Sequence, residues 1–292
     1  MASPLSTLVG QAIDLVVPVA EDGAPWMTPW RDSRAGRELA AEEARHPEPE
    51  PGSWPWLLAP LVARCALLVG VEEAKVLRLA LDADATSYGA DVLCRSLLES
   101  LSLMWWLLDP DVDAPGRRAR GMLYKWRTAV QTQNAVQHVG VQPDGDPAEY
   151  GELPEQVERD AASFGLNLKG TPRDTCNGEG WPSYTERVAK LVSNIWPQPK
   201  LPYAVLSAVA HGELLGLTRN VGSKPEGAAS LRPVQDASGT WLWYDAYLAS
   251  GALLFSAERA ADFLGLEEQM RTVQVGRAGI QESLKALRPT PP

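Results

Sequence analysis

Two sets of polar side chains repeat at four-residue spacing inside otherwise apolar stretches. Asp91, Arg95 and Glu99 lie in ADVLCRSLLESLSLMWWLLD, and Tyr203, Ser207 and His211 lie in PYAVLSAVAHGELLGL. Steps of four keep side chains on one slowly drifting helix face. Buried charge is costly unless paired, so the two stripes are expected to meet in one network. An Arg–Glu pair inside a bundle can orient a ligand carboxylate or phosphate, or hold a neighbouring His in a chosen protonation state. In that chemistry Arg95 anchors an anionic group, Glu99 orients His211, and His211 moves a proton as general acid or base. The alternative is an ion pair that fixes helix register, with a core histidine satisfied by Glu99 or a carbonyl. Ser207 and His211 share one rigid helix with no strand-to-helix elbow, which argues against a hydrolase nucleophile.

The aromatic content is biased, with 11 Trp against 3 Phe. Trp105 and Trp106 follow the Arg–Glu stripe, Trp126 lies on the next helix, and Trp243 begins a late helix beside Trp241, Tyr244 and Tyr247. Indole combines apolar contact with a face that attracts cations. A pocket lined by Trp105, Trp106, Trp126 and Trp243, with Asp91, Tyr203 and Ser207 adding polar contacts, suits a flat apolar or cationic ligand. Ordinary core packing is the alternative. Asp109, Asp111 and Asp113, and Asp82 and Asp84, are the acidic clusters. Asp pairs at a helix end can hold Mg²⁺ beside a diphosphate, the chemistry of an isoprenoid cyclase. There is no adjacent Asp-Asp pair and no second metal motif, so these read as capping acids, with no metal and no cofactor expected.

The chain has 292 residues, a net charge of −10 and 45% hydrophobic content, ordinary for a globular protein with ample core. Acidic balance counts against nucleic acid, whose affinity rests on Lys and Arg. Cys65, Cys94 and Cys176 are too few and too scattered for a disulfide framework or zinc site, and read as buried free thiols of a reducing cytosol. Arg outnumbers Lys 20 to 7, which fits a GC-rich bacterial genome. The N-terminus lacks the basic region of a signal peptide. The apolar run from Trp54 to Val71 is short for a membrane span and contains Pro60 and Arg64. A cytoplasmic protein is expected.

Residues 1–52, rich in Pro and acids, read as an irregular arm with one short helical stretch around Arg37 to Arg45 and with Trp26 and Trp30 as anchors. Residues 53–288 read as one helical-bundle domain. Its helices are expected over 56–81, 88–108, 114–139, 154–164, 184–195, 203–218, 241–264 and 266–287. Ser183 with Glu186 forms a capping box, and Asn167 to Ser183 is a long irregular connection. The stretch 219–240 reads as loop, with a short hairpin at Ala237-Ser238-Gly239. The fold class is therefore all-α: a bundle of about six to eight helices with an irregular N-terminal arm. Bundles of this size often dimerise, but no heptad seam is sustained enough to place a homodimer interface.

Arg95-Ser96-Leu97-Leu98-Glu99, followed by Tyr203-x-x-x-Ser207-x-x-x-His211-Gly212, resembles a family of uncharacterised bacterial all-helical proteins distantly related to the HEPN superfamily. The resemblance spans about residues 57–264 and implies a helical bundle. HEPN nucleases carry an Arg and a His four to six residues apart that together attack RNA. None of His46, His138 and His211 follows an Arg at that spacing, so the HEPN nuclease motif is missing in sequence. The leading expectation is a protein that binds or transforms an organic small molecule, as in specialised metabolism. A HEPN-like defence or regulatory protein acting on RNA or a protein partner is the competing class, and a Mg²⁺-dependent isoprenoid cyclase is a third.

Overall fold

The computed structural model describes residues 2–45, 55–83, 87–139, 152–170, 174–213, 221–225, 231–235 and 239–289. Eleven helices appear among them, more than the six to eight expected, and the fold is all-α as expected: α1 (Pro4–Glu21), α2 (Ala24–Met27), α3 (Arg34–Arg45), α4 (Pro55–Asp82), α5 (Ser87–Leu107), α6 (Ala114–Val139), α7 (Leu153–Ser163), α8 (Tyr184–Val192), α9 (Lys200–Ala210), α10 (Gly239–Leu264) and α11 (Glu267–Ala286). A small antiparallel sheet joins β1 (Leu168–Lys169), β2 (Thr175–Cys176) and β3 (Glu179–Gly180), and a separate pair joins β4 (Val221–Pro225) to β5 (Leu231–Gln235).

Helix α5 is the axis of the bundle. Leu97, Leu98, Leu101, Met104 and Leu107 are fully buried, at helical spacing. They pack α5 against α4, α8, α9 and α10. Burying each such side chain contributes on the order of 1.5–3 kcal/mol, so α5 is held rigidly enough to serve as a platform for its polar stripe.

The N-terminal segment differs from the expected irregular arm. Ser3 caps α1 through Ser6 N–H (3.0 Å), with Pro4 in the first turn. Val9, Ala12, Ile13, Val16, Val19 and Ala20 then bury one face against α4, α10 and α11. Asp82 accepts the Ser3 N–H (2.8 Å), pinning the start of α1 to the end of α4. Trp26 does anchor the segment, being fully buried with its indole N–H on the Val19 carbonyl (3.0 Å), whereas Trp30 is exposed. His46 and Asp84 lie outside the described residues.

Helix α3 docks through Glu38 to Arg117 (3.0 Å) and Glu42 to Arg118 (2.8 Å) on α6. Its entry is tight: a Cβ on Gly36 would stand 1.9 Å from the Trp30 carbonyl oxygen, a backbone atom. Gly36→Ala is therefore expected to cost about 1–3 kcal/mol or more as overpacking, read as a lower urea midpoint. An unchanged midpoint would show that α3 is not seated on that turn.

The helix expected over 203–218 stops at Ala210. Gly212 N–H bonds to the Val209 carbonyl (3.1 Å) and Glu213 N–H to that of Ala208 (2.9 Å), with Gly212 at φ +65°. This is a Schellman stop, in which glycine takes the left-handed position at no Cβ cost. In the stretch 219–240, β4 and β5 pair in place of the expected loop, and Ala237 and Ser238 are outside the described residues.

Candidate functional site

The two polar stripes meet. Arg95 Nε donates to Glu99 Oε1 (2.7 Å), and the Tyr203 hydroxyl donates to the same oxygen (2.8 Å). Arg95 Nη1 lies 3.5 Å from His211 Nε2, and its guanidinium carbon is 5.7 Å from the Tyr203 ring centroid. A guanidinium has donors only, so that contact is a hydrogen bond only when His211 Nε2 is unprotonated. The Schellman stop places His211 at the helix C-cap, where its side chain is exposed. Ser207 is half-buried and joins through its carbonyl, which accepts His211 N–H (3.0 Å). Asp91 is fully buried, one turn before Arg95.

Burial works against the charge on Arg95, but the Glu99 carboxylate and Tyr203 outweigh it and hold the guanidinium above its ordinary range. Burial, reinforced by Glu99, also pushes the Tyr203 phenol up. At neutral pH Arg95 is thus a fixed cation, Tyr203 a neutral donor, and Glu99 the shared acceptor.

Glu99 also forms part of the wall of a cleft of about 320 Å³ between α5, α6 and α8. Ser96 and Ser100 line it from α5, Tyr124 and Arg127 from α6, and Trp181, Tyr184 and Arg187 from α8 and the residues before it. Behind Ser96 stands Glu73, which accepts the Ser96 hydroxyl, and burial raises its carboxyl above the usual range. The Asn177-Gly178 pair, both at positive φ, turns β2 into β3 and so brings Trp181 over the cleft. Arg127 pairs with Asp174 just before β2, and Arg120 with Glu179 on β3 (2.7 Å), tying the sheet to α6. Ser183 and Glu186 form the expected capping box at the start of α8.

Asp109 fastens the same elements. It is 2% exposed and pairs with Lys190 on α8 (2.5 Å) and Arg120 on α6 (3.4 Å). Burial raises its carboxyl, but Lys190, the Asp111 N–H and Arg120 win and hold it below the usual carboxylate range. A depressed folded value means that this stabilisation is present above the unfolded value of about 4 and is lost as pH falls through the folded one. Unfolding followed from pH 6 downward is therefore expected to show a drop in stability that Asp109→Asn flattens. A profile unaltered by Asp109→Asn would contradict the assignment.

The predicted tryptophans do not line one pocket. Trp105 bonds to Ser256 (3.1 Å) with Arg259 over its ring, and it is buried in the core. Trp106 is buried and supports the cleft indirectly, edge-on to Trp181 at 5.1 Å, and Trp126 is buried on α6. Trp243, whose indole N–H meets the Leu284 carbonyl (2.6 Å), lines a second, largely apolar cavity of about 350 Å³ with Trp196 and Trp241. The two cavities share no lining residue. Tyr124, Arg127, Trp181, Tyr184 and Arg187 were not singled out from the sequence. The Asn-Gly dipeptide was the available signal for the hairpin that positions Trp181.

Of the acidic clusters, Asp82, Asp109 and Asp113 serve the scaffold. Asp109 is ion-paired, Asp113 caps Gly116 N–H (2.9 Å), and Asp111 is exposed. Among the described residues no group of three or more His, Cys, Asp or Glu side chains could hold a metal ion. All three cysteines are free, but Cys65 is exposed and departs from the expected burial, whereas burial pushes Cys176 up to about 11. Among the described residues, no helix is long and apolar enough to cross a membrane.

Comparison of the chain with protein-family models, curated proteins and solved structures yields no match in any of the three.

Proposed function

We propose that the cleft beside Glu99 receives an organic small molecule, with Arg95, Glu99, Tyr203 and His211 as its polar end. One observation carries this reading: Glu99 belongs both to the cleft wall and to the four-residue network. The walls combine aromatic rings with several charged or hydroxyl groups, and the volume lies at the small end of ligand pockets, roughly 300–1,000 Å³. Glu99 fixes Arg95 and Tyr203, Arg95 meets His211, and His211 is the exposed member able to exchange a proton with a ligand or solvent. The second cavity is more apolar but lacks such a network. The three free cysteines support a cytosolic setting.

A metabolite panel screened by thermal shift tests the proposal. Compounds that stabilise the protein are expected to lose their effect in Glu99→Gln and Trp181→Ala, and to keep it in Trp243→Ala. Hits that depend on Trp243 and not on Glu99 would overturn it.

One observation favours a second reading. Arg95 and His211, 116 residues apart in sequence, stand 3.5 Å apart in space with His211 exposed. That juxtaposition reproduces in three dimensions the Arg–His pair that the HEPN resemblance lacks in sequence, and would suit attack on an RNA phosphodiester. Cleavage of single-stranded RNA that disappears in both Arg95→Ala and His211→Ala would establish this reading. An inert wild-type protein would remove it.

A further inference from the structure

Two buried arginines in this fold are treated differently. Arg117, 1% exposed, is bonded to Glu38 and to the carbonyls of Leu107, Asp109 and Val112. Arg187, 5% exposed on the cleft wall, has no hydrogen-bond partner for Nε or Nη1 among the described residues. Its guanidinium carbon lies 4.8 Å from the Trp181 ring centroid and 4.7 Å from that of Tyr184. Ring faces attract a cation but provide no lone pair for an N–H in the guanidinium plane. A buried cation with open donors is costly unless an anion completes it.

Arg127 repeats the pattern. Its Nη1 pairs with Asp174, yet its buried Nε has no partner, and its guanidinium lies 4.9 Å from the same Trp181 ring. The Tyr184 hydroxyl and the charge of Glu99 offset part of the burial cost of Arg187, but Glu99 Oε1 already accepts from Arg95 and Tyr203, and among the described residues no salt bridge joins Glu99 to Arg187. Two guanidiniums thus flank one indole on the wall of the cleft, and Nε of each, with Nη1 of Arg187, is a buried donor that no hydrogen bond among the described residues takes up.

We infer that this end of the cleft is an oxyanion subsite: Arg187 and Arg127 bind a carboxylate or phosphate group of the ligand, whose organic part lies along Trp181 and Tyr124. The inference rests on the reading of the cleft as a ligand site and adds that the ligand is an organic acid or phosphate. Guanidinium suits either group through directional, charge-assisted hydrogen bonds.

The test is nuclear magnetic resonance on full-length protein labelled with 15N-arginine. The Nε–H signals of Arg187 and Arg127 are assigned with Arg187→Lys and Arg127→Lys. Inorganic phosphate and benzoate are titrated separately against sodium chloride at matched ionic strength. The expected result is a saturable shift of both signals with at least one probe, weakened about ten-fold or more in Arg127→Gln. Saturation by phosphate alone assigns a phosphate group, and by benzoate alone a carboxylate. A shift no different from that with chloride, for both probes, overturns the subsite. Saturation is expected to persist in Trp243→Ala, which alters only the separate cavity, because the bare anion needs only the arginines. Failure of the subsite is therefore read in the wild-type titration, and failure of the wider proposal in the metabolite screen.

Discussion

Arg117→Ala is expected to lower the free energy of unfolding by about 3–5 kcal/mol, the usual cost of breaking a buried ion pair from one side. Arg117 is 1% exposed and Glu38 8%, so neither can recover its interactions from water. Removing the guanidinium leaves the Glu38 carboxylate only its longer contact with Arg34 Nε (3.3 Å) and deprives the carbonyls of Leu107 (2.7 Å) and Val112 (2.8 Å) of a donor. It also removes the cation packed 5.0 Å from the Phe263 ring centroid. Arg117→Lys should recover only part of this, since an ammonium cannot reach several acceptors with a planar fork. The paired change Glu38→Leu with Arg117→Met should cost much less than Arg117→Ala, because no buried charge is left alone. Urea unfolding of the four proteins decides the matter. A loss below about 1 kcal/mol for Arg117→Ala, the range of an exposed pair, would contradict this role. The consequence reaches the site, because Arg117 fixes the start of α6, the helix that carries Arg127.

Glu99→Ala should have the largest effect on function. One carboxylate oxygen accepts from both Arg95 and Tyr203, and hydrogen bonds to charged groups are worth about 1.5–3 kcal/mol each. Tyr203 is buried, but Arg95 and Glu99 are each partly solvated, so the loss in stability is expected near the lower bound for a single bond, about 1.5 kcal/mol. The loss in ligand affinity should be greater than ten-fold, because Arg95 and Tyr203 lose the group that orients them (ten-fold being about 1.4 kcal/mol). Glu99→Gln separates charge from shape. The amide oxygen can still accept from Tyr203 but no longer balances Arg95, so an intermediate affinity is expected. Tyr203→Phe removes one bond and should fall between Glu99→Gln and wild type. Isothermal titration with any compound from the thermal-shift screen provides the series. Equal affinities for wild type and Glu99→Ala would detach the network from the cleft.

The helices of the bundle were legible because their burial is periodic. Leu97, Leu98, Leu101 and Met104 alternate with Arg95 and Glu99 at spacings that only a helix puts on opposite faces. The same four-residue rule made the meeting of the stripes legible, since costly buried polar groups must find partners. Helix α1 carries the same periodicity from Leu8 to Ala20, but Pro18 and the Pro-rich, acidic residues after it masked the signal. The Gly212 stop was concealed by the apolar residues that continue past it.

The cleft was harder to read, for a physical reason. Trp105, Trp126 and Trp181 are equivalent in composition, and only the turn at Asn177-Gly178 determines which indole reaches the cleft. Arg187 lies within a helix of nine residues whose neighbours make it look like an ordinary surface cation. Its burial comes from Trp181, which packs there because two-residue strands far shorter than a sequence pattern can reveal hold it in place.

Native mass spectrometry of gently purified protein, followed by denaturing extraction, tests the central claim most directly. The account predicts a retained small organic molecule that is lost in Glu99→Gln and reduced in His211→Ala, with Trp243→Ala unaffected. A molecule that survives both substitutions but is lost in Trp243→Ala would place the ligand in the second cavity and contradict the account.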